Sequence, residues 1–180
     1  MALEVDGKPW RIVPDDVLVR CRLAPDTALD RARLREIRRE LLRADALGAA
    51  VRALSRRDLS ERRLRERLTS RGVRPDAAES VVAALASAGA VDDARLAQAR
   101  AASLSDRGWG DAAIGARLGQ EGLSAELVSG ALAELPPESR RAAGIAARAP
   151  DRRAAWRLLA RRGFSPDAIE DALGPLDEGT

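Results

Sequence analysis

Apolar residues recur along this chain three and four positions apart, and the recurrences come in sets. Ala78, Val81, Val82 and Leu85 form one stripe, Leu127, Val128, Ala131, Leu132 and Leu135 a second, and Ala168, Ile169, Ala172 and Leu173 a third. Each is the signature of a helix with one buried face. An earlier stripe precedes each of them: Leu47, Ala50, Val51 and Leu54; then Leu96, Ala97, Ala101 and Leu104; then a weaker set, Ala142, Ala143, Ile145 and Ala146. Between the members of each pair lies a short helical stretch that ends at a glycine.

Those glycines, Gly72, Gly122 and Gly163, align three segments: RLTSRGVRPDAAESVV, ARLGQEGLSAELVSGAL and LLARRGFSPDAIEDAL. Four residues before each stands a leucine (Leu68, Leu118, Leu159). One residue after comes a bulky apolar side chain (Val73, Leu123, Phe164), and four after comes an acid (Asp76, Glu126, Asp167). A glycine just past a helix end takes positive φ cheaply, and the apolar residue after it folds back on the helix. Pro75 and Pro166 suit a first helical position, Ser124 and Ser165 suit an N-cap, and the acids suit the first turn.

The entries to the middle helices repeat too. Leu59 and Leu64 flank Ser60 at hydrophobic-staple spacing, as Trp109 and Ile114 flank Gly110, and Pro150 and Ala155 flank the cap Asp151. Trp109 is therefore expected to be structural. Trp156 shares a face with Leu159 and is expected to pack onto a neighbouring unit. The linkers are short, at 58–60, 108–110 and 150–151, and Pro175 is expected to stop the last helix before Leu176. Units of this size bury little alone, and stacking on neighbours is the usual solution.

The start differs. LEV, DGKP and WRIV predict a β-hairpin with an Asp-Gly turn. A short helix is expected over 15–23, a loop over 24–27 and a long polar helix over about 28–43. The expected fold is mainly α, with tandem three-helix repeats after a short N-terminal β-hairpin. The boundaries are 1–24 for hairpin and short helix, 25–43 for a connecting helix, and 44–89, 90–135 and 136–180 for the repeats.

Composition narrows the chemistry. The 180 residues include no histidine and no tyrosine, which removes the commonest general base and the usual zinc ligand. Cys21 is the single cysteine, so no internal disulfide is possible, and it is expected to be a small packing residue. No phosphate loop, metal-ligand spacing or nucleophile constellation is present, so neither an enzyme nor a cofactor is expected. The longest uncharged run, Ser80 to Val91, is twelve residues, too short to cross a bilayer as a helix. The opening MALEVDGKPW carries no secretory signature, and the default location is the cytoplasm.

The net charge of +3 conceals a gradient. Residues 52–74 hold nine arginines against three acids, whereas 75–135 hold four against nine. The stretch SERRLRERLTSRG, Ser60 to Gly72, is the most basic helix. Leu64 and Leu68 face inward there, so Arg62, Arg63, Arg65, Arg67 and Arg71 point mostly outward, with Arg56 and Arg57 just before. The pairs Glu61–Arg65 and Arg62–Glu66 contribute only about 0.2–0.5 kcal/mol each and leave much charge uncompensated. An acidic partner fits this surface, and a solvated face is the bland alternative. Arg161 and Arg162 form a smaller basic spot that capping of helix carbonyls also explains. Asp92 and Asp93 read as a helix N-terminus.

SRRDLSERRLRERLTSRGV, then VDDARLAQA, then RGWGDAAIGARLGQEGL resemble the bacterial RecX family of recombination regulators, over about 47–135 and more weakly to 173. The hairpin and RLAPDTALD are similar to that family's leader. Leu96 stands where the family usually has Phe, and Glu121 where a basic residue is common. Gly115 and Gly119 thin the second middle helix and leave only Arg117 basic there. The resemblance implies an elongated, curved array that binds RecA and RecA–single-stranded DNA filaments and opposes their growth or stability. It implies lower ATP hydrolysis, strand exchange and coprotease activity, in recombination and the SOS response. The residues expected at that contact are Arg56, Arg57, Arg62, Arg63, Arg65, Arg67, Arg71, Arg117, Arg161 and Arg162, in a monomer with weak direct DNA binding, no membrane and no small-molecule substrate. Two other functions fit the residues: a helix-turn-helix-like nucleic-acid binder, and a helical-repeat adaptor for acidic proteins. Against the former, the exposed face of 60–72 is nearly all Arg and Glu, which reads charge rather than base edges.

Overall fold

Asp6 and Gly7, both at positive φ, turn the chain between β1 (Ala2–Val5) and β2 (Lys8–Ile12), which pair antiparallel with Val5 opposite Lys8 and Ala2 opposite Ile12. This is the hairpin expected from the Asp-Gly dipeptide. The structure, a computed structural model, describes residues 1–174. Ten helices follow among those residues, and they fall into two compact units.

The first unit comprises Met1–Asp58 and Leu64–Ala90. Helix α1 (Asp15–Arg20) is shorter than expected and gives way at Cys21. Helix α2 (Arg31–Leu54) starts at Asp30, whose carboxylate accepts the Arg33 amide at 2.7 Å. It runs unbroken through the expected boundary at 43/44. Nothing in ADALG stops a helix, since Gly48 is tolerated inside one at modest cost. Its buried face drifts. Ile37 and Leu41 join Val13, Val17 and Cys21 in a core beneath the hairpin, whereas Ala46, Ala50 and Ala53 turn toward α4 (Pro75–Ser87). Val51, expected on the buried stripe, is 52% exposed. The alanine row occupies the buried face, and its small side chains suit the α2–α4 contact. Helix α3 (Glu61–Thr69) buries Leu64 and Leu68, and α4 buries Ala78, Val81 and Val82.

The second unit comprises Leu59–Arg63 and Val91–Thr180, described to residue 174. Helices α5 (Asp93–Asp106), α6 (Asp111–Gln120) and α7 (Ala125–Ala133) enclose Leu96, Ala97, Ala101, Ile114, Leu118, Leu123 and Ala131. Helices α8 (Glu138–Ala146), α9 (Arg152–Arg161) and α10 (Pro166–Leu173) enclose Ala142, Leu159, Phe164 and Ile169. Trp156 packs on this local core rather than on a neighbouring unit, because its helix face is also that of Leu159. Helix α10 ends at Leu173 with Gly174 at φ 75°; the expected stop at Pro175 lies outside the described residues.

The repeated turn has one geometry. Gly72, Gly122 and Gly163 have φ of 85°, 87° and 76°. The amides of Val73, Leu123 and Phe164 return to the carbonyls of Leu68, Leu118 and Leu159 at 3.1, 3.2 and 3.2 Å. These 6→1 bonds, with the tighter bond from each glycine amide, form the Schellman cap the glycine spacing predicts. Ser124 and Ser165 cap α7 and α10, and Asp92 caps α5.

Candidate functional site

Two successive middle helices begin in the same environment. In α6 the Asp111 amide donates to the Glu138 carboxylate at 2.7 Å, and that carboxylate also accepts the Ser165 hydroxyl at 2.6 Å. The Gly110 amide donates to the Arg162 carbonyl at 2.9 Å and the Ala112 amide to the Gly163 carbonyl at 3.2 Å. The backbones come so close that a Cβ on Gly110 would lie 2.2 Å from the Phe164 nitrogen. In α3 the Glu61 amide donates to the Asp93 carboxylate at 2.9 Å. The Ser60 hydroxyl, 1% exposed, donates to the Glu121 carbonyl and accepts the Arg63 amide at 3.1 Å. The Arg62 side chain lies against Gly122. Each helix start is thus seated on the glycine turn of the following repeat and capped by an acid from that repeat's first helix. Asp93 has this double duty, which a simple helix-terminus reading misses.

The expected contact arginines divide accordingly. Arg56, Arg57 and Arg71 are exposed in the first unit. Arg65 and Arg67 are half-buried, and Arg65 reaches Glu79 on α4 in an ion pair. Arg62 and Arg63 are exposed, yet both help seat α3, for Arg63 Nη2 donates to the Gln120 carbonyl at 2.5 Å. Arg117 lies over the Trp109 ring, 3.5 Å from its centroid. Trp109 itself packs on the α5–α7 core, in its expected structural place. Arg161 is exposed, whereas Arg162 turns its guanidinium to the Gly108 carbonyl at 3.5 Å and not to its own helix.

Three arginines escaped the sequence reading. Arg141, whose side chain is 10% exposed, pairs with Asp111 and donates to the Trp109 carbonyl at 2.9 Å and the Pro136 carbonyl at 3.0 Å. It ties α8 to the start of α6 and is structural. Arg100 on α5 and Arg107 at its C-terminal cap line one cleft with Arg63 and Arg117. The thinning of α6 by Gly115 and Gly119 suggested little basic surface there, but the charge comes from α5 instead. No local pattern links residues so far apart.

A separate cavity of about 370 Å³ in the first unit is lined by Leu42, Ala46 and Val73 together with Asp45, Arg52, Arg71 and Arg74. Arg74 and Asp76 pair at 3.1 Å on the surface, and this bond holds the Asp76 carboxyl below its ordinary range. Among the described residues no group of three or more acidic, cysteine or histidine side chains is placed to hold a metal ion, and no helix is long and apolar enough to cross a membrane.

Residues 46–85 match the sequence pattern of RecX, first three-helix domain, and residues 92–132 that of RecX, second three-helix domain. A regulatory protein RecX of Xanthomonas axonopodis pv. citri (strain 306) is 37% identical over 133 residues, covering 68% of this chain and 82% of that protein. One from Chromohalobacter salexigens is 37% identical over 140 residues, covering 73% and 92%. These relatives are named as regulatory proteins, not enzymes. A crystal structure of regulatory protein RecX superposes with a TM-score of 0.82 at 22% identity, covering 95% of this chain and 91% of that one. RecX from Lactobacillus salivarius superposes at 0.69 with 17% identity, covering 76% and 97%. With the three-helix cores, the repeated glycine turns and these matches together, the chain belongs to the RecX family of regulatory proteins.

Proposed function

We propose that this protein binds RecA and its filaments on single-stranded DNA and restrains their activity in ATP hydrolysis, strand exchange and coprotease action during recombination and the SOS response. Membership of the RecX family carries the reading, and the exposed arginines at 56, 57 and 71 support it as a surface for an anionic filament. In this reading the repeats at 44–89, 90–135 and 136–180 each contribute contacts. The arginines named from the sequence are the contact residues within their own repeats, Arg161 and Arg162 being those of the last. The protein acts as a cytoplasmic monomer, with direct DNA binding weaker than filament binding.

The test is a titration into RecA hydrolysing ATP on single-stranded DNA, beside binding to the same DNA alone. Inhibition is expected at concentrations far below those that saturate bare DNA. Charge reversal at Arg56, Arg57 and Arg71 is expected to abolish it with helicity intact. These positions are better probes than Arg62 and Arg63, whose loss would also unseat α3. Unchanged ATP hydrolysis with tight binding to one duplex sequence would move the assignment to a DNA-binding regulator.

A further inference from the structure

Four arginines converge on one cleft of about 270 Å³ in the second unit: Arg63 of α3, Arg100 of α5, Arg107 at the C-terminal cap of α5, and Arg117 of α6. Each is held in place. Arg63 donates to the Gln120 carbonyl at 2.5 Å, and Arg107 to the Ser103 hydroxyl at 2.8 Å. Arg100 lies 3.5 Å from the Glu121 carboxylate, and Arg117 is stacked on Trp109. Glu121 is the one carboxylate in the lining, against four guanidinium groups. A concave site with such an excess of one sign concentrates the field and draws an anion. Guanidinium groups match the oxygens of a phosphate in geometry as well as charge. The polar lining and the size suit a phosphate group better than a carboxylate-bearing apolar ligand.

From this convergence we infer that the cleft is a phosphate-binding site, with Arg63, Arg100, Arg107 and Arg117 as its ligands. Glu121 is the internal anion that holds Arg100 in position when the site is empty and is displaced when it fills. The source is either a phosphodiester of a single strand or a free phosphate ligand. The strand arm deepens the filament reading and rests on it.

The experiment uses the full chain, a fluorescein-labelled oligothymidylate followed by anisotropy across a salt series, and inorganic pyrophosphate followed by calorimetry. Arg107 is exposed, so R107Q leaves the fold intact; R100Q/R107Q removes the ligands from α5 and its C-terminal cap; R95Q/R148Q, at exposed positions outside the lining, is the control. R100Q/R107Q is expected to weaken strand binding about tenfold, as the loss of charge-assisted bonds to one phosphate does. It is also expected to flatten the logarithmic salt slope by about 0.7, the share of one phosphate. R107Q falls between it and wild type, and the control matches wild type. Pyrophosphate binding that R100Q/R107Q abolishes, with strand affinity unchanged, assigns a free phosphate ligand. Unchanged strand affinity, salt slope and pyrophosphate binding in a folded R100Q/R107Q protein overturn the inference. ATP hydrolysis by RecA, measured separately with wild type, reports on the filament reading alone, so either idea can fail without the other.

Discussion

Gly110 offers the sharpest test of how the second unit is assembled. Its φ of −81° is open to any residue, so glycine is needed there for space alone. A methyl group would sit 2.2 Å from the Phe164 nitrogen and 2.3 Å from the Gly163 carbonyl carbon and oxygen, all backbone atoms that no rotamer change can move aside. G110A must therefore push the start of α6 off the α9–α10 turn. Overpacking of this kind costs about 1–3 kcal/mol. The displaced helix start also loses the Gly110–Arg162 and Ala112–Gly163 bonds, each contributing about 1 kcal/mol net. The expected cost is about 4 kcal/mol. G119A is the matched control: nothing lies within 4 Å of the added Cβ, and replacing a helical glycine stabilises by about 0.5–1 kcal/mol. Urea denaturation gives both numbers, and amide exchange localises them. The Ala112 amide is expected to exchange fast in G110A while the Leu118 amide, inside α6, stays protected. A G110A cost under about 1 kcal/mol, the low end of overpacking, would refute the proposed crowding.

Glu138 binds donors from two elements, so E138A is expected to cost about 1–3 kcal/mol in the same denaturation assay, with E138Q costing less because it keeps one acceptor oxygen. Cys21 is buried, and burial pushes its thiol up, with Glu36 and Glu40 adding to the shift and Arg33 and Arg39 opposing it. Alkylation by iodoacetamide at mildly alkaline pH is expected to be slow in the native protein and fast in denaturant; equal rates would contradict the burial. Because the folded thiol keeps its proton to higher pH than the unfolded one, its contribution is whole below the ordinary thiol pKa and is lost as pH rises through the raised value.

Much of the fold was legible because its determinants are local. A leucine, a glycine four residues on and an apolar residue after it specify a Schellman cap within six residues, and Leu68-Gly72-Val73 forms it as Leu118-Gly122-Leu123 and Leu159-Gly163-Phe164 do. The caps at Ser124, Asp151 and Ser165 are equally local, spanning three residues. The stripe over 47–54 was harder. Its two candidate faces are both alanine-rich, and only packing against α4 selected Ala46, Ala50 and Ala53 over Val51.

The sequence alone thus determined the helices, their caps and turns, the threefold recurrence and the basic bias of residues 52–74. The helices, caps and turns follow from hydrogen bonds and side-chain spacing within about two helical turns. Tertiary structure decided what those arginines do. It set Arg62 and Arg63 against the α6–α7 turn, committed Arg141 to Asp111 and the Trp109 carbonyl, and brought Arg63, Arg100, Arg107 and Arg117 to one cleft. A guanidinium on a flexible stem has no local preference strong enough to choose a partner, so its role depends on which distant carbonyl, carboxylate or ring the folded chain sets beside it.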